Sequence, residues 1–370
     1  MNSNSRHLAV ALLLGAILTL LGDFLALAQE SGATLANLQA RGVFTMTNDA
    51  SGNAVLAFTR DRLGQLTPAG TFVTGGDGTG GGLGNQGALA LSKSGRTLLV
   101  VNAGSDSISA FQVKPHELLR TSVVPSGGNK PISITLDGDR AYVLNAGSDS
   151  IAGFRMGDMG ILSPITGSTK SLSTTHTGSA QISINPEGTV LVVTEKATQR
   201  LTTYALDDEG VPGDPQVQPS HGKTPFGFAF ADRGHLLVSE AFGGAPGASA
   251  LSSYDVQDRG SLKLVSGSIP SGETAACWVV VNDHQAYVSN TGSGTISSYS
   301  IDDDGILTLS DPQIARAAGP IDMAFSKGGQ FLYVLSSGSK SIDAFQVQGA
   351  KLTAVGRFEV APTADGLVAR

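Results

Sequence analysis

Apolar residues in this chain come in short runs separated by turn-forming residues, and nowhere after the first few dozen positions do they follow the spacing of a helical face. Ile132-Ser-Ile-Thr-Leu136 alternates as a half-buried strand, Asp137-Gly138 marks a tight hairpin, and Ala141-Tyr-Val-Leu144 is a continuous apolar run. The next run begins at the end of Asn145-Ala-Gly-Ser-Asp-Ser-Ile151, a heptapeptide that also stands, letter for letter, at Asn102 to Ile108. Extending that match gives seven copies of one unit, each with a branched aliphatic residue three positions before an aromatic: Val55/Phe58, Ile108/Phe111, Ile151/Phe154, Leu201/Tyr204, Leu251/Tyr254, Ile296/Tyr299 and Ile342/Phe345. Successive aromatics lie 53, 43, 50, 50, 45 and 46 residues apart, the length of four short strands with variable loops. Within a unit the pattern predicts strands a, b and c, then a turn such as Asp207-Asp-Glu-Gly210 or Asp302-Asp-Asp-Gly305, then a more polar strand d.

No such unit can bury both faces of its sheet alone, so the seven imply one closed body. The predicted fold is all-β, a seven-bladed β-propeller with four antiparallel strands per blade. A β-sandwich would leave the sevenfold spacing unexplained. The first unit starts at Arg41-Gly-Val-Phe-Thr-Met46, which matches strand b and has no strand a before it. Pro362-Thr-Ala-Asp-Gly-Leu-Val-Ala369 resembles the start of strand a in Pro320-Ile-Asp-Met-Ala-Phe325, so the C-terminal strand is expected to complete the first blade. Residues 41–370 then form a single domain.

Residues 1–28 read as a signal peptide: Arg6 and His7 precede an apolar run, Leu8 to Leu21, and Ala26-Leu27-Ala28 has the form of a cleavage site. Residues 29–40 form a lead-in, and the protein is expected to be exported, either periplasmic or secreted, with no membrane span after cleavage. A formal net charge of −7 without basic runs offers no footprint for nucleic acid. Cys277 is the only cysteine, so no intramolecular disulfide can form and stability must come from packing and closure. No metal and no cofactor are expected, since neither a spaced His/Cys/Asp set nor a full calcium loop is present, and a monomer is the expected state.

The most specific strings are Gly78-Thr-Gly-Gly-Gly-Leu-Gly-Asn-Gln-Gly-Ala-Leu-Ala-Leu91, Val192-Val-Thr-Glu-Lys196, Thr224-Pro-Phe-Gly-Phe-Ala-Phe230 with Leu237-Val-Ser-Glu240, and Ala276-Cys-Trp-Val-Val-Val281. In them the chain resembles the lactonase-type seven-bladed propellers, which include the propeller 6-phosphogluconolactonases and the carboxymuconate-lactonising enzymes, and in particular an exported subgroup. The resemblance covers about residues 41–370. It implies a hydrolase that opens a small acidic or sugar-derived lactone. The arginine-and-histidine set of the muconate-lactonising branch has no counterpart here. A non-catalytic propeller that binds a protein, glycan or peptide on the same face is the alternative reading.

In an antiparallel meander the b–c and d–a loops share one end of the blades, so binding residues are expected on that face. Aligning the b–c loops at one phase gives Asn48, Asn102, Asn145, Glu195, Glu240, Asn290 and Ser336, and two neighbouring blades alone carry a carboxylate there. The loops entering those blades bring His176 with Gln181, and His221 with Lys223, and the next brings Cys277-Trp278. On this reading Glu240 or His176 activates water and Lys223 holds the oxyanion, while Glu195, His221, Gln181, Trp278, Asn85 and Gln86 contact the substrate. Each has a plainer reading: Glu195 paired with Lys196 or Arg200, the histidines as exposed loop residues, Trp278 as core between blades. The run Gly75 to Gly84 lacks the Lys-Ser/Thr of a nucleotide loop but could present backbone N–H groups to an anion. Cys277 carries no sign of an activated thiol.

Overall fold

The repeated aliphatic and aromatic positions are where packing begins. In the computed structural model, which describes residues 37–349 and 351–370, all seven aliphatics are fully buried and none of the seven aromatics is more than 5% exposed. Each pair lies on strand c, between strands b and d of its own sheet, and its burial contributes roughly 1.5–3 kcal/mol per large side chain.

The strands form seven antiparallel sheets, each with its strands in chain order from the inside out, and the inner strand of the first sheet comes from the end of the chain. Blade I pairs Asp365–Ala369 with Gly42–Met46, followed by Ala54–Arg60 and Leu66–Val73. Blades II to VII begin with inner strands Leu89–Leu91, Pro131–Asp137, Ser179–Ile184, Pro225–Phe230, Ala276–Asn282 and Pro320–Phe325. The expected closure by the C-terminus is therefore the observed one. Blade III has one extra short strand, Lys170–Ser171, which pairs with the start of its third strand, Ser150–Met156, while the outer strand Leu162–Pro164 pairs with the other end. Within the lead-in, Leu38–Arg41 forms one helical turn whose first N–H reaches Pro115 O in the c–d turn of blade II. The signal-peptide segment, residues 1–28, lies outside the described residues, and no described helix is long and apolar enough to cross a membrane.

Exposed outer strands would invite pairing with other chains. Six of the seven carry a proline, namely Pro68, Pro125, Pro164, Pro219, Pro270 and Pro312, and the seventh carries Lys351 and Arg357 instead. The inner strands pose the same problem on the channel side, and side chains from adjacent or opposite blades solve it. Gln181 of blade IV brackets Phe228 of blade V, accepting its N–H at 2.6 Å and donating to its carbonyl at 2.9 Å. Gln86, on the Gly-rich loop entering blade II, does the same to Val279 of blade VI, at 3.1 and 2.9 Å. This loop therefore crosses the channel and plugs it. Its passage depends on Gly227, where a Cβ would lie 2.2 Å from Gln86 Oε1.

The other joints follow suit. Asn85 donates to Ile132 O, Ser133 Oγ accepts Ile182 N–H, Ser239 Oγ donates to Cys277 O and Thr291 Oγ1 to Pro320 O. Asp322 accepts Leu367 N–H, and Asp365 accepts Leu83 N–H. Every step around the ring is thus fastened by a side chain that pairs with a backbone group of the next inner strand or its entering loop.

Candidate functional site

The twice-written heptapeptide is a fastening device. Asn102 ends strand b and donates to Ser107 and Ser109 on strand c at 3.1 and 2.8 Å. Ser105 and Ser148 accept the N–H groups of Asp77 and Asn129 in the entering loops. Asp106 and Asp149, both at positive φ, accept N–H groups of Lys130 and of His176 and Thr177 in the loops beyond.

Glu195 and Glu240 occupy the place of Asn102 in that device. Both are fully buried. Glu195 takes Thr202 Oγ1 at 2.6 Å and Ser173 N–H at 3.1 Å on one oxygen, with Ser173 Oγ and Thr198 Oγ1 on the other. Among the described residues no ion pair joins its carboxylate to Lys196 or Arg200, although Arg200 is its backbone partner across the strand pair. Glu240 takes Ser252 Oγ at 2.5 Å and Gly222 N–H at 2.8 Å on one oxygen and Ser268 Oγ at 2.6 Å on the other. In blade VII the device runs in reverse, with Ser336 donating to Asp343. The two carboxylates were expected at a solvent-facing mouth; they lie beneath it, fully buried, with every oxygen engaged by donors of the protein. In blade I the phase slips by one residue: Met46 pairs with Val55 as Val101 does with Ile108, so Thr47 and not Asn48 is equivalent to Asn102. Asn48 instead holds the Gly-rich loop through Thr79 and Gly81.

The remaining expected residues divide. His176 is exposed at the joint between blades III and IV. Lys223 is exposed one joint further on, its carbonyl accepting Phe242 N–H at 3.1 Å. His221 turns outward: its ring lies against Gly267 of the outer strand, where a Cβ would meet Nε2 at 2.5 Å. No hydrogen bond or ion pair joins any two of Glu195, Glu240, His176, His221 and Lys223 among the described residues. Gln181 and Gln86 spend their amides on the ring, and the Leu83 N–H of the Gly-rich loop is taken by Asp365, which removes that donor from any anion nest. Trp278 is core between blades, 5% exposed, its ring tilted 49° to Phe226 at 5.1 Å. Burial pushes the Cys277 thiol up to about 11, in keeping with an inert thiol.

What the structure does gather at the mouth centres on Lys196. Its Nζ donates to Gly84 O at the edge of the plug and stands 4.4 Å from the centre of the Phe226 ring. Burial lowers its pKa to about 8; the Cys277 thiol opposes that shift and Lys130 adds to it. The His176 loop lies directly alongside, with Ala197 N–H bonded to Thr177 O at 2.9 Å and Lys196 N–H to Gly178 O at 3.3 Å. A partly desolvated cation, an aromatic face and an accessible imidazole thus share one sector. The signal for Lys196 was present in the repeat: the position after the end of strand b reads Ala103, Ala146, Lys196, Ala241, Thr291 and Ser337 in blades II to VII, charged once only. Phe226 is likewise the lone aromatic among Ile132, Ala180, Phe226, Cys277 and Ile321.

The sequence pattern of the family described as Lactonase, 7-bladed beta-propeller, matches residues 48–172, 165–281 and 266–364. The chain belongs to this lactonase family. Among solved structures, this lactonase-family propeller is similar to a periplasmic gluconolactonase from Pseudomonas aeruginosa, with 18% identity over 88% of this chain and 98% of that one and a TM-score of 0.71. It is also similar to a candidate 6-phosphogluconolactonase from Bacteroides uniformis, with 13% identity over 90% and 100% of the two chains and a TM-score of 0.72. A Lactobacillus plantarum protein matches with 19% identity over 90% and 99% and a TM-score of 0.69. At such identities the likeness speaks for the fold. No curated protein sequence matches the chain.

Proposed function

We propose that the protein is an exported lactone hydrolase that opens a small acidic or sugar-derived lactone at the channel mouth between blades IV and V. The observation that carries this reading is Lys196, a half-buried ammonium set over an aromatic ring. Water adds to the lactone carbonyl carbon, the ring C–O bond breaks, and a hydroxy acid leaves. Lys196 donates to the carbonyl oxygen as negative charge develops on it, Phe226 lies against the ring, and His176 takes the proton of the attacking water. Glu240 holds the loop that carries Lys223 and does not act on water. Family membership supports the reaction type, and the apolar segment Leu8 to Leu21 with its small-residue boundary supports export.

The test is a panel of sugar, aliphatic and aromatic lactones given to purified protein, with Lys196→Met and Lys196→Arg alongside. Loss of one such donor costs about a hundredfold or more in kcat. Because Lys196 acts as the ammonium, activity is expected to fall as the pH rises through about 8, and Lys196→Arg should shift that limb upward. No hydrolysis of any lactone by the wild type, or full activity in Lys196→Met, would overturn the proposal.

A further inference from the structure

We propose that Asp322 and Asp365 form a proton-sensitive latch that fastens the C-terminal strand to the blades on both sides and couples ring closure to the Gly-rich plug. Asp322, on the inner strand of blade VII, accepts the N–H of Leu367 in the closing strand at 3.0 Å, and also its own neighbour Met323 N–H at 2.7 Å. Asp365, at the start of the closing strand, accepts the N–H of Leu83 in the plug at 3.0 Å. One residue beyond Leu83, the Gly84 carbonyl receives Lys196. The two joints that close the ring are therefore the two made with carboxyl groups, whereas the joints that need no late-arriving strand use amides and hydroxyls.

Both acids are buried, at 3 and 6% exposure. The elements packed against them bring no cation. Gly42–Met46, Leu89–Leu91 and Phe331–Ser336 contain no ionisable side chain except Tyr333, and residues 78–87 of the plug contain none. On the blade VI side, Ala276–Asn282 and Gln285–Asn290 contribute Cys277 and Tyr287, which burial keeps neutral. Arg370 at the far end of the closing strand donates to Lys93 O. Among the described residues, the charged group that acts on Asp322 is Asp365, and it repels. Burial raises Asp365 to about 7 and raises Asp322 well above the ordinary carboxylate range.

The sign follows from which state holds the proton. From about pH 4 upward the unfolded or unlatched aspartates lose their protons while the latched ones keep theirs, so the latch is strongest at low pH. It weakens as the pH rises from about 4 until Asp365 ionises near 7, and Asp322, raised in the same direction by burial, adds to that loss.

Hydrogen–deuterium exchange of the segments 362–370 and 78–87, corrected for the intrinsic rate, reads this directly between pH 6 and 8.5. In the wild type, protection of both segments should fall together by about tenfold or more, one pKa unit being tenfold. Asp322→Asn and Asp365→Asn, which keep shape and an acceptor but cannot ionise, should each reduce that fall, and the double variant should abolish it. Protection independent of pH in the wild type, or an undiminished fall in the double variant, would overturn the proposal. If the variants do not fold, infrared spectroscopy of the wild type decides: a protonated-carboxyl band at pH 6 that titrates away by pH 9 supports the latch, and its absence at pH 6 refutes it.

Discussion

Glu195 and Lys196 are joined by one peptide bond and serve two different layers of the molecule. The carboxylate points down into the joint between strands, fully buried, with donors on both oxygens. The ammonium points to the mouth, with a carbonyl and an aromatic face as its company. A buried carboxylate with its donors complete is a stable structural element, because each charge-assisted bond contributes about 1.5–3 kcal/mol and none is left to a ligand. A cation held partly out of water with few partners keeps electrostatic capacity in reserve for charge that develops during a reaction. Charge alone does not mark a functional residue; what distinguishes these neighbours is how far each charge is already satisfied.

Cutting the lower layer gives the largest expected effect. Deleting residues 361–370 removes the inner strand of blade I, both latch carboxyl contacts and the cover over the edge of Gly42–Met46. The protein should become insoluble or melt many degrees lower, and unchanged solubility and Tm would contradict closure by this strand.

Gly222→Ala disturbs the same layer at one point. A Cβ there would lie 2.0 Å from Glu240 Oε2, so the carboxylate must move and break its bonds to Gly222 N–H and Ser268. A loss of about 2–4 kcal/mol is expected from chemical denaturation, in line with overpacking plus disrupted buried hydrogen bonds. A stability equal to the wild type would mean that the clasp is dispensable.

His221→Ala sharpens the comparison from the other side. Its exposed ring lies against the outer strand, away from Lys196. Stability should change by less than about 0.5 kcal/mol, as for surface substitutions, and lactone hydrolysis should not change. A large drop in kcat/KM would return His221 to the site.

Much of this architecture was legible in the sequence. The aliphatic–aromatic spacing identified the blades because those residues fill the space between sheets, and the missing first strand a exposed the closure. Phase along the repeat also located Glu195 and Glu240, but it could not say which way their side chains turn. That depends on Ser173, Thr198, Ser252 and Ser268, which come from loops and strands whose lengths vary between units. The Asn48 assignment failed for a related reason, since the first b–c loop places its asparagine one residue later. Gln86 and Gln181 looked like ligand-binding amides because a free inner strand edge, which is what they satisfy, exists only once the ring is closed.

A paired measurement on Lys196→Met and Glu240→Gln tests the central claim most directly, with kcat/KM on the best lactone and the urea midpoint read for each variant. The account predicts that Lys196→Met loses about a hundredfold or more in kcat/KM with its midpoint unchanged. It predicts that Glu240→Gln loses about 1–2 kcal/mol of stability while the folded fraction stays within a few-fold of wild-type activity. Abolished activity in Glu240→Gln with full stability, together with an active Lys196→Met, would contradict it and put the chemistry in the buried layer.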